Sequence, residues 1–350
     1  MHIAHLFPVA GKVLICGPNW LGDSIMCMPA LQTLRRLCPS CHVSMLVKPK
    51  MGALWKMHSA LDEVIEMAPA GTVQTVKAVK ARKCEAALIF PNSFRSALVP
   101  YLARVPVRRG MVGHGRVWML TNVIRAPVKP ELRHQLWEYY EIAGLADNAG
   151  EPEAPRLSIP ESALSAARGR LGAAGLLRSA SYAGQGCPWI GIIPGAARGP
   201  SKQWPPEHFV EAGRQLAAKA PCRVIVLGTA GEARLCRQVA DGIGSEAISV
   251  AGETSLAEFA ALLSLCRVVA ANDSGGMHMA SAVGAKVVGI FGLTDPAKTG
   301  PIGPGHRVIC HNESGAHSRD IPRDSREARD ALRAIVPERV VAAVMGLLNG

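Results

Sequence analysis

An apolar run, Val268–Ala271, breaks into Asn272, Asp273, Ser274, Gly275 and Gly276. A helical pattern over Met277–Val283 follows, and then a second apolar run, Lys286–Phe291. Strand, glycine turn, helix and strand make one parallel crossover unit. The turn gathers small residues, a hydroxyl and a carboxylate where a helix begins. Free N–H groups and the positive end of the helix dipole collect there, which is chemistry suited to a phosphate. His278, four residues after Ser274, either points at the phosphates or packs inside. Asn272–Asp273 lacks the DxD spacing of a metal-bridged nucleotide-sugar site. Asp273 therefore reads as a turn former that orders the neighbouring N–H groups.

Four further clusters sit at the ends of apolar runs. Gly17-Pro-Asn-Trp-Leu-Gly-Asp23 follows the first run but lacks the GxGxxG series and the ribose-binding acid of a dinucleotide site. Its Asp23 is either a helix cap or a general base. Phe90-Pro-Asn-Ser-Phe-Arg-Ser96 offers Asn92, Ser93, Arg95 and Ser96 to a polyhydroxylated or phosphorylated group, with helix capping by Asn92 or Ser93 as the alternative. In Ile193-Pro-Gly-Ala-Ala-Arg-Gly-Pro-Ser-Lys-Gln-Trp-Pro205, backbone N–H groups, Ser201 and Lys202 suit a diphosphate, and the absent Walker spacing argues against an ATPase. In Gly228-Thr-Ala-Gly-Glu232, Glu232 either accepts a ribose hydroxyl or serves the helix dipole.

The elements that must position these clusters alternate between apolar runs and helical patterns. In the first half, strands are expected at Lys12–Gly17, His42–Val47 and Ala86–Phe90. A helix is expected through Ile25, Met28, Leu31 and Leu34, with others at Ser93–Ala103 and Leu132–Gly144. Ala146–Pro160, rich in Pro, Glu and Ala, approaches a linker. The second half restarts with a helix at Glu161–Gly175, a break at Gly184–Pro188, and strands at Trp189–Ile193 and Arg223–Leu227. Its helices are expected at Pro206–Ala220, Glu232–Gly242 and Leu256–Cys266. Two successive β-α-β series predict an α/β chain of two Rossmann-like doubly wound domains facing a central cleft, with ligands at the carboxyl ends of the strands. The expected domains are 1–180 and 181–335, with a last helix in 336–350.

The chain has 350 residues, 49% of them hydrophobic, enough for two cores. No apolar run reaches the ~20 residues of a membrane span, and Met1–Ala10 lacks the pattern of a signal peptide, so a cytoplasmic protein is expected. The net charge of +12 favours anionic partners, or marks only a solvated basic surface. No RNP motif or Cys/His finger supports nucleic acid. The ten cysteines are mostly single and apolar in context, and Cys38-Pro-Ser-Cys41 reads as a helix-end turn rather than a redox or metal pair.

GPNWLGD, PNSFRSALVP, PGAARGPSKQWP, GTAGE and NDSGGMHMASA stand in this order from Val13 to the C-terminus. Together they resemble the ADP-heptose:lipopolysaccharide heptosyltransferases of glycosyltransferase family nine, and PNSFRSALVP most resembles the heptosyltransferase II subgroup. The resemblance implies a B-type glycosyltransferase fold and an inverting single displacement. ADP-heptose would be held by the C-terminal domain, and a heptosylated Kdo-lipid A acceptor by the N-terminal one. The last helix, Glu338–Leu348, would return towards the N-terminal domain.

By the same carry-over Asp23 is the general base and Lys202 neutralises the diphosphate, with Ser201, Asp273, Ser274, Gly275, Gly276 and His278 around it and Glu232 on the donor. Asn19, Trp20, Asn92, Ser93 and Arg95 would meet the acceptor. No cofactor and no metal is implied, since a helix N-terminus and a lysine carry the developing charge. A monomer at the inner face of the cytoplasmic membrane is expected, without nucleic acid. Gly276 departs from the family, which often has a larger apolar residue there. Other readings are a heptosyltransferase of type I or III, or one with another acceptor, and a nucleotide-sugar-binding protein without transfer activity.

Overall fold

The computed structural model describes residues 11–69, 71–125, 134–146, 150–173, 187–311 and 321–350. The expectations for Met1–Ala10 and for residues 184–186 of the break lie outside the described residues. The chain divides into two compact units, Met1–Ser158 and Ile159–Gly350.

The first unit is built on β1 (Lys12–Cys16), β2 (His42–Val47), β3 (Glu63–Glu66), β4 (Ala86–Ile89), β5 (Val107–Met111) and β6 (Asn122–Ile124). They form one parallel sheet in the order β3-β2-β1-β4-β5-β6. The second unit is built on β7 (Trp189–Ile193), β8 (Arg223–Val226), β9 (Ala247–Ser249), β10 (Cys266–Asn272), β11 (Lys286–Phe291) and β12 (Arg307–Cys310). Its parallel sheet runs β12-β11-β10-β7-β8-β9, the same topology read from the other edge. Each unit is thus a doubly wound Rossmann-like domain, whose order reverses between its first and fourth strands.

Central strands read as unbroken apolar runs because helices cover both faces. Val13, Leu14 and Ile15 of β1 and Val268, Val269 and Ala271 of β10 are fully buried. The helical pattern from Ile25 to Leu34 divides into two helices, Leu21–Met26 and Met28–Leu37. Pro29 lies in the first turn of the second. It has no N–H to continue the ladder, so the chain turns at Cys27.

The linker segment belongs to the first unit. Gln32 Nε2 donates to Ala154 O (3.0 Å), Arg156 N donates to Gln32 Oε1 (2.9 Å), and Ser158 N donates to Met57 O (2.7 Å). The next helix, Glu161–Ala173, packs on the helix Leu256–Ser264, and Arg170 pairs with Glu253 at 3.0 Å. The division therefore falls at 158–159 and not at 180. The last helix, Pro337–Asn349, buries Val340, Val341, Val344 and Leu347 in the second unit's core with Trp204 and Phe209. Among the described residues no helix is long and apolar enough to cross a membrane.

Candidate active site

In the first unit, the loops after β1 and β4 lie on either side of the order reversal, where open α/β sheets bind ligands. Gly17 ends β1 tightly: a Cβ there would stand 2.8 Å from Met45 Sδ and from Val47 Cγ1. The chain then passes half-buried Asn19 to Trp20, the N-cap residue of the helix Leu21–Met26, whose side chain makes no capping bond. Asp23 is therefore not at the N-cap position. It stands within the first turn, half-buried, and its Oδ1 accepts a hydrogen bond from Gln135 Nε2 at 3.2 Å. Gln135 also reaches Tyr139 Oη at 3.3 Å, and the Tyr139 ring meets Phe90 edge-on, with centroids 5.2 Å apart. Burial, and then the Asp23 charge, push the Tyr139 hydroxyl well above its ordinary pKa, so it stays a neutral partner. Trp20 is 58% exposed, with Lys50 Nζ 5.7 Å from its ring centroid.

After β4, Ser93 caps the helix Phe94–Leu102 by accepting from Ser96 N at 3.3 Å, so its oxygen already holds a backbone donor. Asn92 Oδ1 accepts from Arg116 Nη2 (3.2 Å), and Arg95 is exposed on the first turn. Arg116 was not singled out by sequence. It is fully buried, and its guanidinium also donates to Met111 O (2.7 Å), Ser96 Oγ (3.1 Å) and Pro91 O. One cation thus fixes the whole Pro91–Ser96 loop, since a buried guanidinium must fill its fork of donors.

In the second unit, Ser274 is the N-cap of the helix Gly275–Ala282 but makes no capping bond. Its Oγ is buried without a hydrogen-bond partner among the described residues. Gly275, Gly276 and Met277 begin the helix, where N–H groups have no acceptor inside it. A Cβ at Gly276 would stand 2.9 Å from Ile193 Cδ1, so Ile193 fills the room that a larger residue would take. Lys202 ends a short turn after Gly199 and forms an ion pair with Asp273; their side chains are 17% and 7% exposed. His278 is buried.

The sequence places Ser201 at the diphosphate, but the structure commits its hydroxyl elsewhere. It donates to Pro322 O (2.6 Å) and accepts from Ser325 N (2.7 Å), tying the lysine-bearing turn to the segment before the helix Arg326–Arg333. Glu232 Oε2 accepts from Thr229 N (2.8 Å) and Oγ1 (2.7 Å), closing a capping box on the turn that follows β8. The same carboxylate lies against Gly195: a Cβ there would stand 2.0 Å from Glu232 Oε1. The loops after β7 and β8 therefore meet at that acid. Asn272, fully buried, braces the site: Nδ2 donates to Pro194 O (2.7 Å) and Oδ1 accepts from Trp204 N (2.9 Å).

Two doubly wound units, one with a carboxylate and one with a phosphate-type helix N-terminus at the order reversal, make this a glycosyltransferase architecture of the B type. A solved structure titled E. coli ADP-heptose lps heptosyltransferase II matches with TM-score 0.81 and 27% identity over 97% of this chain and 98% of that one. A family 9 glycosyltransferase from Veillonella parvula matches with TM-score 0.81 at 20% identity over 97% of each chain. The chain belongs to glycosyltransferase family 9 (heptosyltransferase), whose profile matches residues 72–327. Curated relatives include lipopolysaccharide heptosyltransferase 2 of Salmonella typhimurium, 28% identical over 97% of this chain and 99% of that protein. The protein of the same name from Escherichia coli K12 is 28% identical over 96% of this chain and 98% of its own length.

Proposed function

We propose that this enzyme moves L-glycero-D-manno-heptose from ADP-heptose to the first heptose of the lipopolysaccharide inner core. The relatives named as heptosyltransferase 2, alike over nearly their whole length, support that donor and acceptor. The single observation that carries the chemistry is Ser274 Oγ, buried and without a partner among the described residues, at a helix N-terminus beside the Lys202–Asp273 pair. A buried hydroxyl left unpaired costs ~1–3 kcal/mol, and a phosphate oxygen relieves that cost.

In this reading Asp23, oriented by Gln135, takes the proton from the acceptor hydroxyl as its oxygen attacks the anomeric carbon. The bond from that carbon to the diphosphate breaks on the opposite face, and ADP leaves with the electron pair. Ser274, the N–H groups of Gly275 and Gly276, and Lys202 take up the charge that develops on the diphosphate. Ser201 acts by holding the Lys202 turn, and His278 by packing beneath the site. Glu232 Oε1 accepts a ribose hydroxyl. Asn19 and Trp20 on the loop after β1, and Asn92, Ser93 and Arg95 on the loop held by Arg116, receive the acceptor. The helix N-terminus and the lysine do what a divalent cation does in DxD enzymes, so the reaction runs without metal. The protein acts as a monomer at the inner leaflet.

The test is ADP release from ADP-heptose with heptose-I-terminated lipopolysaccharide, comparing wild type with Asp23→Ala. Acceptor-dependent release that falls by ~10²–10⁴-fold in the variant, with ADP-heptose binding retained, is expected. Full activity in the variant removes Asp23 as the base. Tight ADP-heptose binding by the wild type without turnover on any heptose acceptor leaves a binding protein in place of the enzyme.

A further inference from the structure

Most globular surfaces intersperse acids with bases and scatter their apolar residues singly. One stretch of the first unit does neither. From Met67 to Arg125 the chain holds ten Lys and Arg and a single carboxylate, Glu85; of the ten, Arg116 is buried and Arg82 is paired with Glu63. Two helices from this stretch, Thr72–Arg82 and Phe94–Leu102, pack side by side, and neither contains an acid. Lys77, Lys80, Lys83, Arg95 and Arg104 are exposed along them.

Beside these cations lies an aromatic cluster. Phe94, Leu98, Tyr101 and Leu102 share one side of their helix by spacing. The turn Val117–Met119 brings Trp118 onto them, with ring centroids 5.0 Å from Tyr101 and 6.2 Å from Phe94. Trp118 is nevertheless 59% exposed, Leu102 46% and Val117 44%. Arg108 locks helix and turn together, donating to Met119 O (2.6 Å) while its guanidinium lies 5.6 Å from the Tyr101 ring centroid. The cluster is thus an outward-facing platform of Trp, Tyr, Phe and Leu with Arg108 against it and exposed cations on the same pair of packed helices.

We infer that this face is the membrane-docking surface of the enzyme, seated on anionic phospholipid headgroups. Trp and Tyr partition to the headgroup level of a bilayer. Surrounding Lys and Arg gain energy from anionic lipid. A nucleic acid would engage the cations but leave the Leu and Val side chains without a role. The helix Phe94–Leu102 begins at the loop proposed to hold the acceptor, so docking brings that loop to the depth where a lipid-linked sugar is found. The inference rests on the proposed lipid-linked acceptor.

The experiment is vesicle flotation without lipopolysaccharide, using phosphatidylcholine vesicles with and without phosphatidylglycerol. The variants are Trp118→Ser with Leu102→Ser, and Lys77→Gln with Lys80→Gln and Arg104→Gln. Wild type floats with the anionic vesicles and releases as salt is raised. The apolar pair loses about tenfold in partitioning, and each neutralised cation about fivefold at low salt. Both variants keep wild-type melting curves and full transfer to a deacylated, water-soluble acceptor, and they lose rate only on the membrane-embedded one. Undiminished flotation by both variants overturns the inference. So does a concentration-dependent dimer that Trp118→Ser abolishes, which assigns the face to a second copy of the chain. Vesicle binding that the variants lose, in a protein that transfers to no acceptor, would retain the surface and remove the proposed reaction.

Discussion

Ser274→Ala separates a phosphate site from an ordinary helix start, because the two predict opposite signs. Where a serine caps a helix, alanine costs ~1 kcal/mol. Ser255 is such a cap: its Oγ accepts from Glu258 N at 3.2 Å inside a capping box. Ser274 occupies the same position on its own helix, yet its buried Oγ has no partner among the described residues. Removing it discards a desolvated hydroxyl and loses no bond, so the unliganded protein gains up to ~1 kcal/mol. That is a rise of about 2–4 °C in the second unit's transition. With ADP bound the sign reverses. The hydroxyl then donates to a charged phosphate, a bond of ~1.5–3 kcal/mol, and its loss weakens ADP binding by at least about tenfold. Thermal melts with and without ADP, together with calorimetric titration, read both quantities on one pair of proteins. Ser255→Ala is the control, with a lower transition and unchanged ADP affinity. If Ser274→Ala lowers the unliganded transition and leaves ADP binding intact, Ser274 is a cap and the diphosphate assignment fails.

Three further outcomes follow from the same geometry. Asn272→Ala strands Pro194 O and Trp204 N, both held by that side chain, and destabilises the second unit by ~2–5 kcal/mol, read as a lower urea midpoint with ADP affinity reduced in parallel. Burial holds the His58 imidazole down at about 4 from 6.5. The unfolded chain therefore takes up the proton first, so stability is full above pH 6.5 and falls as pH drops towards 4, by up to roughly 3 kcal/mol. Denaturant midpoints of wild type and His58→Gln should converge across that window. In the proposed mechanism Lys202 and a helix N-terminus carry the leaving-group charge, so chelation by EDTA is expected to leave turnover unchanged; loss of activity restored by added Mg²⁺ refutes that arrangement.

Strands with helices on both faces were legible in the sequence, and those at the flanks of the sheets were not. His42–Val47, Trp189–Ile193 and Lys286–Phe291 carry the expected bounds, because full burial leaves an unbroken apolar run. β3, β5, β6, β9 and β12 gave no such run. β3 reads EVIE, with Glu63 turned to Arg82 at 2.6 Å. β5 reads VRRGM, and its arginines satisfy themselves on backbone carbonyls: Arg109 on Ile142 O (2.9 Å) and Glu141 O (3.0 Å), Arg108 on Met119 O (2.6 Å). A strand whose charges find partners only in the folded chain looks like a loop in the unfolded one.

The candidate site shows the same division between what is local and what is not. Glycine turns with their hydroxyls, amides and acids announce themselves, because the residues that must adopt the turn are adjacent in sequence. The residues that brace one turn against another are distant in sequence and ordinary in type. In the second unit Asn272 ties the end of β10 to Pro194, across the order reversal. In the first, Gln135 and Tyr139 link Asp23 after β1 to Phe90 after β4. Both units therefore meet the same mechanical demand at the same topological place, a cross-brace between the first and fourth strand ends, and meet it with unrelated side chains. Because the demand comes from the topology and not from the ligand, the brace can be recognised only once strand order is known. Ser201 shows the converse. Its type and spacing promised a phosphate contact, and the fold committed its hydroxyl to Pro322 and Ser325, bonds that no local pattern could foretell.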